Sequence, residues 1–413
     1  MKNIVTTIIA TLFITTSLFA TDRIVAEGGQ GGTFASINDA ITAAVSGDRI
    51  LIYPKANGAQ YSEDITVTNK SLQLLSATEG TLWKLNGSIV FNPASTGMEL
   101  VIHQAHLING NMSTGINAPT GTRCKITVLG CLLTDGFINF ATNYFDCVIE
   151  NNTLLNGYIQ MKFGRIVGNS ITCATGNHNI IIQHDAVATN DLNYVVGNYI
   201  NMTNTNFGYA IGGIYQNNSN QYYYIANNFI DTDALNNNPV YVVTSKTGSG
   251  KNYIQNNSVY HNGSNNSWAV YVSSTNSITE VFNNFVHTGG FAVYAFYGLN
   301  SVNSIFGYNY TNLSGANAFN AMVNDGTNVS GATFTIDTAT GEVLTGSPID
   351  GGSPDNAYLD LDLTRNDADC FGGSYSRANF INTPTGAITT FMIAPRRVLS
   401  GQTINISADG YDR

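Results

Sequence analysis

The sequence predicts an all-β solenoid, in which short strands wind around a single axis, and three observations support this prediction. A phrase that ends in Asn recurs through the middle of the chain at intervals of 17 to 30 residues. Few stretches after residue 45 show the 3.6-residue hydrophobic period of a helix. With 11% charged residues but 22 Tyr and 20 Phe, the 413-residue chain has the composition of a β-rich exported protein and not of a disordered one.

The recurring phrase consists of two β-branched or aromatic residues, a small residue or Asn, and then an Asn. The gaps between successive final Asn residues are 17, 29, 30, 29, 27 and 25. This spacing is too short for helical-hairpin repeats, and the fixed Leu positions of leucine-rich repeats are missing. A coil of three short strands fits it, with each coil stacked ~4.8 Å above the last. The Asn positions are Asn152, Asn169, Asn198, Asn228, Asn257, Asn284 and Asn309.

We expect the recurring Asn to have two roles. It tolerates the left-handed backbone angles that a turn between two strands requires. When stacked in register, its amide can donate to one neighbouring coil and accept from the other, which satisfies polar groups in a dry interior. Upstream, Cys131 and His106 occupy the matching position in weaker copies of the phrase. The differences in gap length are then absorbed in one loop per coil.

Both ends of a solenoid need a cap, because each end leaves an open strand edge and an unstacked core. Near the start, Ser36 and Asp39 form a pattern typical of a helix N-terminus, and four apolar residues share one helical face. We therefore expect a short amphipathic helix over the first coil. Its apolar face consists of Ile37, Ala40, Ile41 and Ala44.

These features divide the chain into four parts. Lys2 precedes an apolar N-terminal stretch that has the pattern of a signal peptide, so we expect a secreted or cell-surface protein. No later stretch is apolar over the ~20 residues that a membrane-spanning helix needs. The Asn phrase disappears after about residue 320, and residues 334–373 are predicted to form a final coil or cap. The parts are a signal peptide at 1–20, an N-terminal cap at 21–48, a parallel β-helix of about twelve coils at 49–373 and a tail at 374–413.

Two regions resemble a known family. Residues 32–37 and 47–50, followed by Tyr53, resemble the opening of right-handed parallel β-helix proteins of the pectate-lyase-like superfamily. Residues 346–352 and 360–373 are similar to the closing coil of secreted bacterial β-helix proteins. The resemblance spans roughly residues 24–373, and it implies an architecture without implying an activity.

The charge distribution excludes some functions and disfavours others. With 17 Lys+Arg against 27 Asp+Glu, the chain lacks the basic face that nucleic acid needs. The Asn-x-Asp, Asp-Asp and Gly-His-Gly motifs of polygalacturonase-like hydrolases are absent. A calcium-dependent lyase needs converging carboxylates and a Lys or Arg base, and the central coils hold few of either. Between residues 192 and 303 the charged residues are Asp231, Asp233, Lys246, Lys251 and Glu280.

One titratable group is the candidate for catalysis. It is spread over about one coil, where a His-Asp pair could orient a general base and a cation could hold a uronate. Adjacent residues of a strand point to opposite faces, so His184 and Asp185 should not touch if they lie in one strand. The alternative is that these residues belong to a solvated outer face. The group comprises Lys162, Arg165, His178, His184 and Asp185.

Two acidic groups are candidates for calcium. Asp231 and Asp233 share one strand face, and a neighbouring coil could add oxygen ligands. A richer acidic group near the C-terminus could hold a structural Ca²⁺ that closes the solenoid, with Asp-stabilised turns as the alternative. We predict no other cofactor. The C-terminal candidates are Asp360, Asp362, Asp367 and Asp369.

Aromatic residues recur through the charge-poor coils. Those that face outward would give a platform for sugar rings, whereas those that face inward would be core. The candidates for carbohydrate binding are Tyr215, Tyr222, Tyr241, Tyr260, Trp268 and Tyr294.

The five Cys leave two readings open. Cys124 and Cys147 are 23 residues apart, close to one repeat, so they could stack within disulfide reach in an exported protein. Buried reduced Cys is the alternative, and the odd number leaves at least one unpaired.

For function, the sequence favours an exported surface or matrix protein that is non-catalytic and binds polysaccharide along an extended face. Two alternatives remain. One is a lyase or glycoside hydrolase that acts on an acidic polysaccharide, as the superfamily resemblance and the Lys162 group allow. The other is a purely structural spacer.

Overall fold

The fold is visible in a computed structural model that describes most of the chain after the predicted signal peptide. The described residues are 20–115, 121–142, 145–173, 180–182, 191–202, 213–232, 238–262, 267–289, 294–299, 303–381, 388–393, 401, 403–404 and 406–411. The predicted signal peptide, apart from Ala20, lies outside these residues, as do His178, His184, Asp185 and Asp233.

A helix, α1, spans Ile37–Ala43 and covers the first coil, as the sequence predicts. Its buried residues include Ile37, Ala40 and Ile41, and the Ser36 hydroxyl accepts a hydrogen bond from the Asp39 amide. The Glu63 carboxylate also accepts hydrogen bonds from the amides of Ile37 and Asn38. This carboxylate therefore satisfies donors that a helix N-terminus leaves free and complements its positive end.

Three parallel sheets form the body of the molecule. Within the described residues, sheet 1 has thirteen strands, and sheets 2 and 3 have eleven each. The strands of sheet 1 are Asp22–Val25, Arg49–Ile52, Leu72–Ser76, Glu99–His103, Cys124–Leu129, Phe145–Glu150, Phe163–Val167, Leu192–Val196, Tyr222–Ala226, Lys251–Gln255, Ile278–Phe282, Ser304–Gly307 and Val323–Asn324. Those of sheet 2 are Tyr61–Ser62, Trp83–Asn86, Ala105–Ile108, Leu132–Thr134, Thr153–Leu155, Ser170–Cys173, Tyr199–Met202, Phe229–Thr232, Ser258–His261, Phe285–Thr288 and Tyr310–Thr311. Those of sheet 3 are Ile65–Thr68, Ile89–Asn92, Met112–Ser113, Ile138–Asn139, Ile159–Met161, Ile180–Ile182, Ile214–Ser219, Val240–Thr244, Trp268–Ser274, Tyr294–Leu299 and Phe319–Asn320.

The chain passes through sheets 1, 2 and 3 in turn, so each circuit is one coil. The eleven strands of sheets 2 and 3 give eleven such coils in the described chain, close to the predicted twelve. Every pairing between neighbouring strands in these sheets is parallel, and the architecture is the right-handed parallel β-helix that the sequence predicts.

The core is built from columns of stacked apolar side chains. One column takes one inward residue from each coil of sheet 1, and all its members are fully buried. Burial of each such side chain stabilises the fold by about 1.5–3 kcal/mol. The column runs through Ile50, Leu74, Ile102, Val128, Ile149, Ile166, Val195, Ile225, Ile254, Val281 and Phe306.

The recurring Asn side chains form a second buried column, at the corner between sheets 1 and 2. The backbone amide and the Nδ2 of Asn198 both donate to Oδ1 of Asn228, at 3.0 and 2.9 Å. Asn228 repeats this with Asn257, and its Nδ2 also donates to the carbonyl of Val195 in the preceding coil. The same pattern links Asn152, Asn169, Asn198, Asn228, Asn257, Asn284 and Asn309, and Asn328 extends it by one step.

Two details of the predicted Asn role are corrected. The left-handed backbone angle belongs to the residue before each column Asn, such as Asn227 with φ 55° or Gly197 with φ 68°. Upstream, Cys131 does occupy the column position and donates its amide to Asn152 Oδ1. His106, however, lies one residue beyond that position, because it pairs with Leu132.

The structure also decides between the two readings of the cysteines. All five are buried and free, so the disulfide between Cys124 and Cys147 is not formed. Cys124 pairs with Phe145 in the sheet register, and Cys147 pairs with Ile126, so the two thiols occupy different rows. Burial raises the pKa of the Cys131 thiol to about 12, which keeps it protonated.

Residues 334–373, predicted to form a final coil or cap, do not form a further coil. Strands Phe334–Ile336 and Val343–Gly346 pair as an antiparallel hairpin, and Phe334 packs edge-on against Phe285 on the outer face of sheet 2, with ring centroids 4.4 Å apart. From there residues 351–381, which we call the return segment, run back along the corner between sheets 1 and 2. This segment ends in a short helix, α2, at Ala378–Ile381.

The return segment is held by the residues that precede the column Asn. Asn283 Oδ1 accepts from the Ser353 amide at 2.8 Å, and one coil back Asn256 Nδ2 donates to the Asp367 carbonyl at 2.8 Å. In the next coil Asn227 Nδ2 donates to the carbonyls of Cys370 and Gly372. In each of these three Asn doublets, the second Asn bonds inside the corner and the first Asn bonds the return segment outside it.

The predicted tail packs along the solenoid. Strands Ile388–Ile393 and Ser407–Tyr411 form an antiparallel hairpin, and Phe391 packs against Tyr194 on the outer face of sheet 1. Short 3-10 turns at Ala56–Gly58 and Gly315–Asn317 complete the regular structure of the described residues. None of the helices in the described part of the chain is long and apolar enough to cross a membrane.

Replacing one column Asn tests the energetic importance of this corner. Asn228→Ala removes the acceptor of two hydrogen bonds and the donor of two more, all buried. Since each orphaned buried group costs about 1–3 kcal/mol, we expect a loss of at least about 3 kcal/mol in the free energy of unfolding, measured with denaturant. Asn320→Ala, which removes one exposed hydrogen bond, is the control and should change it by less than about 0.5 kcal/mol. Equal effects of the two changes would contradict this role.

Candidate functional site

The outer faces of the three sheets differ in the second half of the solenoid. On sheet 2, the hairpin at residues 334–346 buries Phe229 and Phe285, which face outward. On sheet 1, the tail covers a row of neighbouring Tyr, with Phe391 packed against Tyr194 and Tyr375 packed against Tyr224. These C-terminal contacts of the described chain fall on sheets 1 and 2, which leaves sheet 3 as the face to consider for ligand binding.

Sheet 3 carries an outward row of four tyrosines. Tyr215, Tyr241, Tyr271 and Tyr297 come from four successive coils and occupy the same register position. Their ring centroids are 5.4, 4.6 and 5.6 Å apart, with interplanar angles of 23°, 6° and 14°. Trp268 packs against the last two rings, with its centroid 5.1 Å from each. We call these five residues the Tyr row.

The stacking decides which part of each ring can meet a ligand. Neighbouring rings cover each other's faces and leave Tyr271 only 7% exposed. The row therefore presents ring edges and phenol hydroxyls, mainly those of Tyr215, Tyr241 and Tyr297, and not the flat platform that the sequence suggested. Burial, together with Tyr241 and Tyr297 beside it, raises the pKa of Tyr271 to about 12. The pKa of Tyr241 is raised too, by burial and by Tyr215. These hydroxyls therefore stay protonated and can both donate and accept hydrogen bonds.

Loops of variable length border this face. The connection from sheet 1 to sheet 2 contains two residues in each coil from residue 124 to residue 310. The connections into and out of sheet 3 vary widely, and the one between Met202 and Ile214 contains eleven residues. Variation is thus absorbed at both margins of sheet 3 and not in one loop per coil. Insertions in repeat proteins collect on one face, which is often the binding face.

The Tyr row carries no charge, because its strands from Ile214 to Leu299 contain no Asp, Glu, Lys or Arg. The central charged residues that the structure describes lie elsewhere. Lys251 pairs with Glu280 at 2.6 Å, Asp231 accepts a hydrogen bond from Asn201, and the Lys246 ammonium lies over the Tyr222 ring.

The six predicted aromatic candidates divide between this face and other places. Tyr215, Tyr241 and Trp268 belong to the Tyr row, and Tyr294 pairs with Trp268 in the sheet register. Tyr222 lies on sheet 1, where its hydroxyl accepts from the Gly250 amide and the Lys246 ammonium lies over its ring, so it is not available to a ligand.

Tyr260 lies on sheet 2, stacked on His287 at 4.7 Å. The prediction omitted Tyr271 and Tyr297 from the candidates. The recurrence of Tyr at one register position could have indicated them, since Tyr241, Tyr271 and Tyr297 occupy equivalent places in successive repeats.

The predicted catalytic group is only partly described. Arg165 lies on the outer face of sheet 1, where its Nε donates to Glu150 Oε1 at 2.5 Å and its guanidinium lies 5.7 Å from the Phe391 ring. The Glu150 carboxylate is itself buried. Lys162 is half-buried at the turn that precedes this strand. Arg165 is therefore engaged in packing the tail, and the two His and Asp185 lie outside the described residues.

The four C-terminal carboxylates do not converge on a cation. Within the described residues, no three His, Cys, Asp or Glu side chains are grouped as a metal site would require. Asp362 caps its own turn through Thr364, and Asp367 accepts from the Asp350 amide. Both carboxylates thus accept hydrogen bonds from backbone amides, as the turn-stabilising alternative predicts. Asp360 accepts from the Gly373 and Asp367 amides, and Asp369 accepts from those of Val343, Phe371 and Gly372.

Comparison with known proteins gives one structural likeness. No protein-family model matches the chain, and no curated protein matches it. The crystal structure of pectate lyase Pel9A is similar over 86% of this chain and 97% of that chain, with 14% identity and a TM-score of 0.35. The assignment of the fold therefore rests on the strand pairing of the chain itself.

Burial of Asp369 makes the stability of the return segment depend on pH. Burial raises the pKa of Asp369 to about 7 and that of Asp360 to about 6, against an ordinary value of 3.8. A carboxyl whose pKa is higher in the folded protein than in the unfolded chain stabilises the fold most at pH values below its unfolded-state pKa. This stabilisation is lost as the pH rises through the folded-state pKa. We expect thermal unfolding to occur at a lower temperature at pH 8 than at pH 5. Asp369→Asn, which mimics the neutral form, should reduce this difference, and an unchanged difference would contradict the assignment.

Proposed function

We propose that this chain is an exported, non-catalytic protein that binds a neutral polysaccharide along the Tyr row. The stacking of Tyr215, Tyr241, Tyr271 and Tyr297 is the observation that carries the proposal. It gives hydroxyls that repeat once per coil, along a line parallel to the solenoid axis. A linear polymer of sugars also repeats its hydroxyls along its length, so an extended chain parallel to the axis can make the same contact several times.

The absence of charge from the Tyr row favours a neutral polymer. Each uronate brings a carboxylate that must be paired or kept hydrated, and the strands of this face supply no cation. Phenol hydroxyls bond sugar hydroxyls, and ring edges cover their apolar C–H faces. The pattern thus fits neutral glucans, xylans or mannans better than pectate or alginate.

Binding to soluble polysaccharides tests the proposal. We expect retardation of the protein in gels that contain a neutral glucan, xylan or mannan, and little retardation with polygalacturonate or alginate. Tyr241→Phe removes one hydroxyl and keeps the stack, so it should weaken binding by about 2- to 10-fold, as expected for one hydrogen bond worth about 0.5–1.5 kcal/mol.

Two further variants sharpen the test. Tyr297→Ala should weaken binding more than Tyr241→Phe, because it also removes a ring from the row. Tyr53→Ala, at a Tyr that is 45% exposed and remote from the row in sequence, is the matched control and should leave binding unchanged. No binding to any neutral polymer, or equal loss in the control, would contradict the proposal. Release of unsaturated or reducing-end products from polyuronates, abolished in Lys162→Ala, would instead establish the catalytic alternative.

A further inference from the structure

The outer face of sheet 1 carries one row of mostly apolar side chains, which occupy the same register position in successive coils. In the later coils the return segment and the tail cover this row, so that Val167, Val196 and Ala226 are at most 1% exposed. The row is therefore already an interface where the C-terminal part of the chain lies on it. It runs through Ile24, Leu51, Leu75, His103, Leu129, Glu150, Val167, Val196 and Ala226.

The early coils leave the same row open. Ile24 is 37% exposed, and Leu51 and Leu75 are half-buried. A cleft of about 540 Å³ lies here, and the apolar part of its lining includes Leu51, Leu75, Val101 and Leu129 from four successive coils. None of the described residues after Leu129 lines this cleft. The polar part of its lining includes Arg49, Gln73, Glu79 and His103.

The antiparallel hairpin of the tail, Ile388–Ile393 with Ser407–Tyr411, presents a second apolar surface. Phe391 faces sheet 1 and is 4% exposed, whereas the next residue, Met392, points to the opposite side and is 52% exposed. Ile404 and Ile406, which lead into the second strand, are 58% and 62% exposed. This tail hairpin thus packs one apolar side on its own solenoid and presents another outward. Grouped exposed apolar side chains of this kind mark an interaction surface.

The cleft and the tail hairpin lie on the same face of the molecule. The cleft is centred on the strands Leu72–Ser76 and Glu99–His103, and Phe391 lies by Arg165 and Tyr194, four coils further along. At ~4.8 Å per coil, the two surfaces are ~19 Å apart along the axis. A two-fold axis across sheet 1, midway between them, places the tail hairpin of each copy over the cleft of the other. Because packed sheets are ~10 Å apart, the two hairpins fit side by side in one layer between the solenoids.

We propose that two copies of this chain form a dimer through sheet 1, in which the tail hairpin of each copy occupies the cleft of the other. A second copy is the occupant because one face carries both apolar surfaces, which is what a self-complementary two-fold interface requires. The contact also continues the row that the tail covers within one chain. The two solenoids are antiparallel, and sheet 3 with its Tyr row lies outside the interface.

Sedimentation equilibrium of the parent and of three variants tests the dimer. We expect the parent to be dimeric. Ile404→Asp on the tail hairpin and Leu75→Asp in the cleft each place a charge in the apolar contact, so each should raise the Kd of the dimer at least about 10-fold. Leu344→Asp, at a Leu that is 53% exposed in the hairpin over sheet 2, is the matched control and should leave this Kd unchanged.

Circular dichroism of each variant separates loss of the dimer from loss of the fold, and we expect the parent's spectrum in all three. Because Ile404 is exposed on the tail hairpin, its variant tests the contact even where Leu75→Asp does not fold. A monomeric parent would overturn the proposal. So would a folded Ile404→Asp or Leu75→Asp variant that dimerises as the parent does, or an equal loss in Leu344→Asp.

A mixture of the two interface variants tests which surfaces meet. A dimer of Ile404→Asp with Leu75→Asp keeps one contact between an unchanged tail hairpin and an unchanged cleft, whereas neither variant alone can form such a contact. We therefore expect the mixture to dimerise more strongly than either variant does alone. Association no stronger than in the separate variants would contradict the pairing of hairpin with cleft.

Discussion

The buried column of Asn side chains is the interaction on which the rest of the structure depends. Each column Asn bonds the backbone amide of the previous one and the carbonyl of a strand in the previous coil, so the corner between sheets 1 and 2 has the same path in successive coils. Because the corner contains two residues, the backbone there has the same length in each of these coils. The strands on either side must therefore stack in register, and this register aligns the aliphatic column of the core.

The same corner also organises the outside of the molecule. Its first residue is Asn in three successive coils and Gly in the two before them, and all five have positive φ. At Asn227, Asn256 and Asn283 the amide side chains bond the return segment. At Gly197 the packing is closer still, since an added Cβ would lie 2.2 Å from the Phe380 ring. The repeat thus encodes both the stacking of the coils and the path of the chain that runs back over them.

The sequence predicted the fold because its main signal is local and periodic. The Asn spacing, the α1 capping pattern and the alternation of the strands are each readable within about one repeat. The path of the return segment was not predictable, because its contacts join residues far apart in the sequence, 70 positions for Asn283 and Ser353 and 143 for Asn227 and Cys370. No feature of the sequence around Asp369 or Phe391 indicates which residues each of them contacts.

The candidate site was predicted only in part, for a related reason. The composition indicated that the central coils are rich in aromatic residues and poor in charge. The alternation of side chains along a strand indicated that some of the rings face outward. The loops differ in length from coil to coil, so equivalent positions of successive coils are not a constant number of residues apart. The sequence spacing alone therefore does not show which rings share a row. Tyr222, for instance, is close to Tyr215 in sequence, but it lies on sheet 1, whereas Tyr271 and Tyr297 complete the row on sheet 3.

From residue 124 to residue 310 the solenoid therefore combines one corner of constant length with two corners of variable length. Native-state hydrogen exchange measures this corner most directly. The backbone amides of Asn169, Asn198, Asn228, Asn257 and Asn284 donate to side chains and not to a strand. If the column holds the coils together, these amides exchange as slowly as those of the neighbouring core strands, through global unfolding alone. Exchange as fast as in exposed turns would contradict the account.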